Sequence, residues 1–200
     1  MTTPDITSKL PHAVTLPQTL RLQTFLQHAD QKLDRPWSIT VYGSAAVAIY
    51  LADERGYEYG YTRDIDIGFM EPKEIGAKTF DTEIVDPPLH FQPYDFTLWL
   101  LHPDWKESTV DVSKLLGLNT LTMCLLHPID LIITKLERAG DQDLEDGILI
   151  RERYITDVAE ARSRTIEAAK YHPISPRARS QIEYAFEAIF EESIDLESFT

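Results

Sequence analysis

The chain has 200 residues, 43% hydrophobic and 26% charged, with 19 basic against 33 acidic side chains and a formal net charge of −14. That length suits one domain of ordinary size with a buried core, and the composition excludes a fibrous or disordered chain. The charge excludes a protein that holds nucleic acid by general electrostatic attraction, and no apolar run approaches the roughly 20 residues of a membrane helix.

The opening MTTPDITSKLPHAV lacks the basic and apolar regions of a secretory signal, so a soluble, cytoplasmic protein with no membrane partner is expected. Leu20, Leu22, Phe25, Leu26 and Leu33 form a helical stripe over residues 16–33, opened by Pro17. WSITVYG reads as a strand over Ser38 to Tyr42, ended by Gly43. SAAVAIYLADERG follows as a helix, with Ser44 as N-cap and Gly56 as its stop. After GYEYGY comes the acidic strand TRDIDIGF.

Between Met70 and Pro93, prolines and charges predict a loop with a short helix, and DFTLWLL, from Asp95 to Leu101, predicts a third strand. The stretch WKESTVDVSKLLGLNTLTMCLL adds a turn or helix and one more strand; its Cys124 has no partner for a disulfide or zinc site and is expected in the core. HPIDLIITKLERAG reads as a helix opened by Pro128, DLEDGILIRERYI as one opened by Asp141 or Asp143, and ISPRARSQIEYAFEAIFEE as one capped by Ser175 with Pro176 in its first turn. Strands come first and helices later. The organisation expected is therefore α+β: a core over residues 1–150 and a helical appendage over 151–200. Arg151 to Arg179 carries seven basic residues against four acidic, and six acids with no base follow from Ser180.

Asp64 and Asp66 alternate with Ile65 and Ile67, so both carboxylates share one face of the strand. Two such charges repel each other and are relieved by a cation; magnesium takes one or two carboxylates and completes its shell with water and phosphates. The alternative is a half-exposed strand with acidic residues toward solvent. Gly43-Ser44, between a strand and a helix, allows close approach of backbone amides to a phosphate, although Ser44 is explained equally by capping. A third acid would complete a two-ion site. Asp95 is the first candidate and Asp111 the reserve, with an exposed strand-end role as the alternative for each.

With these residues in order, VYGSAAVAIYLADERGYEYGYTRDIDIGF resembles the signature of the DNA polymerase beta-type nucleotidyltransferase superfamily. LHPIDLIITKLERAGDQDLEDGI resembles the second signature of its AbiEii-like, toxin-type branch: a lysine, an arginine and two acids three apart, here Lys135, Arg138, Asp143 and Asp146. The resemblance spans Ile39 to about Ile150. It implies a nucleotidyltransferase fold and transfer of a nucleoside monophosphate from an NTP to a tRNA 3′ end or a protein hydroxyl. The implied ion is magnesium, with manganese as the alternative. It further implies catalytic roles for Asp64, Asp66, Asp95 and Lys135, the last meeting phosphate, and nucleotide binding by Gly43, Ser44, Lys135, Arg138, Asp143 and Asp146. The branch implies a toxin with a cognate antitoxin; an antitoxin or a non-catalytic nucleotide- or partner-binding module with the same fold is the alternative. Antitoxin-like minimal enzymes carry Arg-Gly shortly after Gly-Ser, where this chain has AAVAIY. From the residues alone, Lys135 and Arg138 could instead pair with Asp141 to Asp146. His127 reads as a helix-entry residue, Trp99 and Trp105 as packing residues, and Tyr57, Tyr59 and Tyr61 as a strand edge or a stacking surface for a base.

Overall fold

The computed structural model describes residues 6–52, 62–69, 82–94 and 100–197. It comprises two compact units: Met1–Asp95 with Thr109–Leu125, and Phe96–Ser108 with Leu126–Thr200. The boundary expected after residue 150 falls inside a continuous helix, Asp141–Tyr154, which packs against the helices Pro128–Leu136 and Pro176–Phe190.

The first unit contains helices α1 (Pro17–Gln31), α2 (Gly43–Tyr50) and α3 (Ser113–Leu116) and strands β1 (Trp37–Val41), β2 (Asp64–Phe69), β3 (His90–Tyr94), β4 (Val110–Asp111) and β5 (Leu121–Leu125). Together the strands form a mixed sheet in the order β3-β2-β1-β5-β4. The β1/β5 and β2/β3 pairs are parallel, and β1/β2 and β4/β5 antiparallel. Period-two alternation gives the sheet two chemically different faces. Ile39, Val41, Ile65, Ile67, Leu121, Met123 and Leu125 lie on one face and are buried, while Asp64, Asp66, Gln92 and Cys124, on the other, are part-exposed.

Pro17 opens α1 as expected, and the helix buries Leu22, Phe25 and Leu26. Its Asp30 carboxylate accepts the amides of Asn119, Thr120 and Leu121, pinning the entry to β5. The third strand differs from expectation: it runs from His90 to Tyr94, across the end of the stretch read as loop. Residues 95–99 of the expected strand lie outside the described residues, and Leu100 and Leu101 are not in a strand. Cys124 is half-buried rather than in the core; burial pushes its thiol up, and Asp111 pushes it further.

The second unit packs α4 (Pro128–Leu136), α5 (Asp141–Tyr154), α6 (Val158–Tyr171) and α7 (Pro176–Phe190). Pro128 and Pro176 open α4 and α7, and the Ser175 hydroxyl accepts the Ala178 amide at 3.1 Å. Gly147 lets α5 approach α7 closely, since a Cβ there would collide with the Ile189 side chain. None of these helices, nor any other among the described residues, is long and apolar enough to cross a membrane.

Candidate functional site

In the first unit the acidic strand lies between β1 and β3. Ile65 and Ile67 are 0% exposed, which turns Asp64 and Asp66 to the opposite face, their Cα atoms about 7 Å apart from the strand rise. The Tyr42 amide donates to the Asp66 carbonyl at 3.2 Å and carries β1 directly into the glycine turn. Gly43 has φ +64°, and a Cβ built on it would collide with the Asp66 carboxylate. A side chain at Gly43 is therefore excluded twice, by its backbone conformation and by its neighbour. The strand, the turn and α2 meet at that point.

Helix α2 begins at Gly43, with Tyr42 in the cap position and no side-chain capping bond. Ser44 thus differs from the expected N-cap: the helix starts at Gly43 and the cap position falls on Tyr42. The Ser44 hydroxyl is part-exposed and makes no hydrogen bond among the described residues. A helix N-terminus presents amides without intrahelical partners. Here they adjoin Asp66.

On the other flank, β3 lies parallel to β2 with His90 beside Asp64 and Gln92 beside Asp66. Neither was singled out in the sequence, because HFQPY carries no apolar alternation that would mark it as a strand. The Thr62 hydroxyl donates to the Asp64 carbonyl at 2.8 Å and stands 3.4 Å from its carboxylate. Asp95 and the tyrosines at 57, 59 and 61 lie outside the described residues. Asp111 is on the same face but on β4, three strand spacings or about 14 Å from β2, with β5 and β1 between. Its carboxylate accepts the Ser113 amide and hydroxyl at 2.8 and 2.6 Å. The reserve third acid is thus committed elsewhere. Among the described residues no three His, Cys, Asp or Glu side chains converge as a metal site.

The second unit gathers the other motif residues. Lys135, 4% exposed, donates to Asp143 at 3.1 Å and to Asp146 at 2.7 Å. The Arg138 guanidinium makes a bidentate contact with Asp143, its Nε at 2.6 Å, and Gln142 donates to the other oxygen of Asp146 at 3.0 Å. Burial would raise the Asp143 pKa, but Arg138 and then Lys135 outweigh it and hold the carboxyl below its ordinary value. Two cations and two anions balance. Asp143 also accepts the Gly140 amide at the start of α5. The pairing given above as the alternative for Lys135 and Arg138 therefore occurs, with Lys135 buried and Arg138 largely exposed.

No family model, curated protein or solved structure matches this chain.

His127 accepts the Ile129 amide through Nδ1 and starts α4 as expected; burial lowers its pKa to about 4, so it is neutral at pH 7. Trp105 is buried, as a packing residue should be, and Trp99 lies outside the described residues. Three residues of the basic segment pair with acids of their own unit. Arg164 donates to the fully buried Asp130 at 2.6 Å, Arg162 pairs with Glu192, and Arg151 stands 3.8 Å from Glu191.

Proposed function

We propose that this chain is a magnesium-dependent nucleotidyltransferase with the nucleotidyltransferase fold, moving a nucleoside monophosphate from an NTP to a macromolecular hydroxyl. The observation that supports this most is the packing of the Gly43 backbone against the Asp66 carboxylate. It brings the glycine turn, the α2 N-terminus and the paired-aspartate strand to one place, as a phosphate cradle beside a cation site requires. The donor set fits magnesium: two hard carboxylate oxygens on a part-exposed face, and room in the coordination shell for water and phosphate. The cradle closed by Gly43 fits as well, since any Cβ there would occupy the carboxylate's position.

In the reaction the acceptor hydroxyl loses its proton to solvent as its oxygen bonds to the α-phosphorus, the bond from that phosphorus to the bridging oxygen breaks, and pyrophosphate leaves. Magnesium, when bound, neutralises charge on the phosphate oxygens. Asp64 and Asp66 hold the cation, the first amides of α2 receive phosphate oxygens, and the Ser44 hydroxyl supplies a further donor. Lys135 is buried with its ammonium between Asp143 and Asp146, so a phosphate would have to enter that interior cluster to reach it. The phosphate grip is therefore assigned to the α2 end, and Asp95 keeps the role of third acid.

The biological setting that goes with this activity is a cytoplasmic toxin controlled by an antitoxin. Three of the seven basic residues between Arg151 and Arg179 pair with acids of the same unit, which favours a protein hydroxyl over an RNA 3′ end as acceptor. A second reading, a nucleotide- or partner-binding module without transfer, is favoured by the internally balanced Lys135. Incubation with α-phosphate-labelled NTPs, magnesium, and RNA or cell lysate separates them. Label in protein or RNA supports transfer; NTP binding without label supports the module.

A further inference from the structure

We propose that Arg21 is a positioning residue that sets Asp64 and Asp66 for cation binding, by clamping the entries of β2 and β3 to α1. This rests on the reading of the two aspartates as a metal-holding pair. Arg21 is 7% exposed, and its planar fork of N–H donors can reach several carbonyls at once. Nη1 donates to the Thr62 carbonyl at 2.9 Å, Nε to Pro87 at 2.7 Å and Nη2 to Pro88 at 3.2 Å. The three acceptors come from two segments far apart in sequence.

Each acceptor lies just ahead of the site. Thr62 is two residues before Asp64 and bonds that residue's carbonyl through its hydroxyl. Pro88 is two residues before His90, the register partner of Asp64. Prolines have no backbone N–H, so the Pro87-Pro88 segment can be anchored through its carbonyls but not through donors of its own. A single guanidinium therefore fixes where both parallel strands begin. The pleat makes that position matter, because a one-residue slip would exchange the aspartate face for the isoleucine face, and smaller shifts would re-aim the carboxylates. Lysine, a point donor on a flexible stem, cannot reproduce the fork.

Fold and clamp can be separated experimentally, because Phe25, one helical turn beyond Arg21, packs in a tilted arrangement against Phe91 of β3 with ring centroids 5.3 Å apart and remains in an Arg21 variant. The test uses the full chain with Mn2+ as probe, free Mn2+ read by electron paramagnetic resonance. It compares wild type, Arg21→Met, Arg21→Lys and Asp66→Asn, with Gly147→Ala as a control that lowers stability in the other unit. Changes behind metal ligands typically weaken binding about 10- to 100-fold. Arg21→Met is expected to unfold cooperatively, to bind Mn2+ at least about tenfold more weakly, and to exchange the amides of residues 64–66 faster without metal. Arg21→Lys should fall between it and wild type, and Gly147→Ala should bind as wild type. A folded Arg21→Met with the wild-type midpoint overturns the inference; should that variant not fold, Arg21→Lys decides in the same way. If wild type takes up no Mn2+, or Asp66→Asn binds like wild type, the aspartate-pair reading fails first and this inference with it.

Discussion

Gly43 and Asp30 show how much of the sheet unit depends on single atoms. At Gly43 both the positive φ and the Asp66 carboxylate exclude a methyl group. Gly43→Ala should cost about 1–3 kcal/mol, the usual charge for a side chain in a sparsely allowed conformation, and should abolish any stabilisation by magnesium and NTP. Thermal melts with and without ligand check both effects. Asp30 is a buried carboxylate whose burial would raise its pKa, but the amides of Leu121, Thr120 and Asn119 prevail and hold it below the ordinary 3.8. A carboxyl depressed in the folded state adds stability above its unfolded pKa, and that stability is lost as pH falls through the folded value. Asp30→Asn should therefore cost about 2 kcal/mol at pH 7 and flatten the decline in stability below about pH 4. Urea titrations at pH 7 and pH 3 measure both. A mutant with an unchanged acid limb would show that Asp30 does not carry it.

At the level of elements, α4 and α5 are joined by a buried ionic pair that propensity rules would have left on the surface. Asp146 is 0% exposed and its Oδ2 accepts from Lys135. Removing one partner of such a pair strands the other, so Lys135→Met should destabilise by about 3–5 kcal/mol, and adding Asp146→Asn should recover part of that loss. Chemical denaturation of both variants tests it; an additive pair of costs would contradict it. Elements with a local stop or start signal were legible in the sequence. Pro17, Pro128 and Ser175-Pro176 mark real helix starts, and the Ile/Asp alternation marks β2. β3 was not legible, because its Gln92 and Pro93 break the apolar pattern. Within the site, Gly43, Asp64 and Asp66 could be read from residue type and spacing. The interior position of Lys135, the offset of Ser44 from the cap and the reach of Arg21 depend on tertiary packing, which local patterns do not encode.

Over the whole molecule, the charge of −14 coexists with ion pairs that draw the acidic end of the chain onto the basic segment before it, as in Arg162 with Glu192. Sequence showed the two blocks of charge but not that they meet within one helical unit. The overall acidity limits the ways in which a polyanion could be held, and the proposed chemistry rests on one place, the aspartate pair beside the glycine turn. The most direct test is to incubate wild type and Asp66→Asn with α-phosphate-labelled NTPs, magnesium and lysate, following label in macromolecules and pyrophosphate in solution. Nucleotidyl transfer requires wild type to label an acceptor and release one pyrophosphate per label, and Asp66→Asn, folded as wild type, to do neither. Wild type that binds NTP without labelling anything, or an Asp66→Asn variant that labels at the wild-type rate, would contradict it.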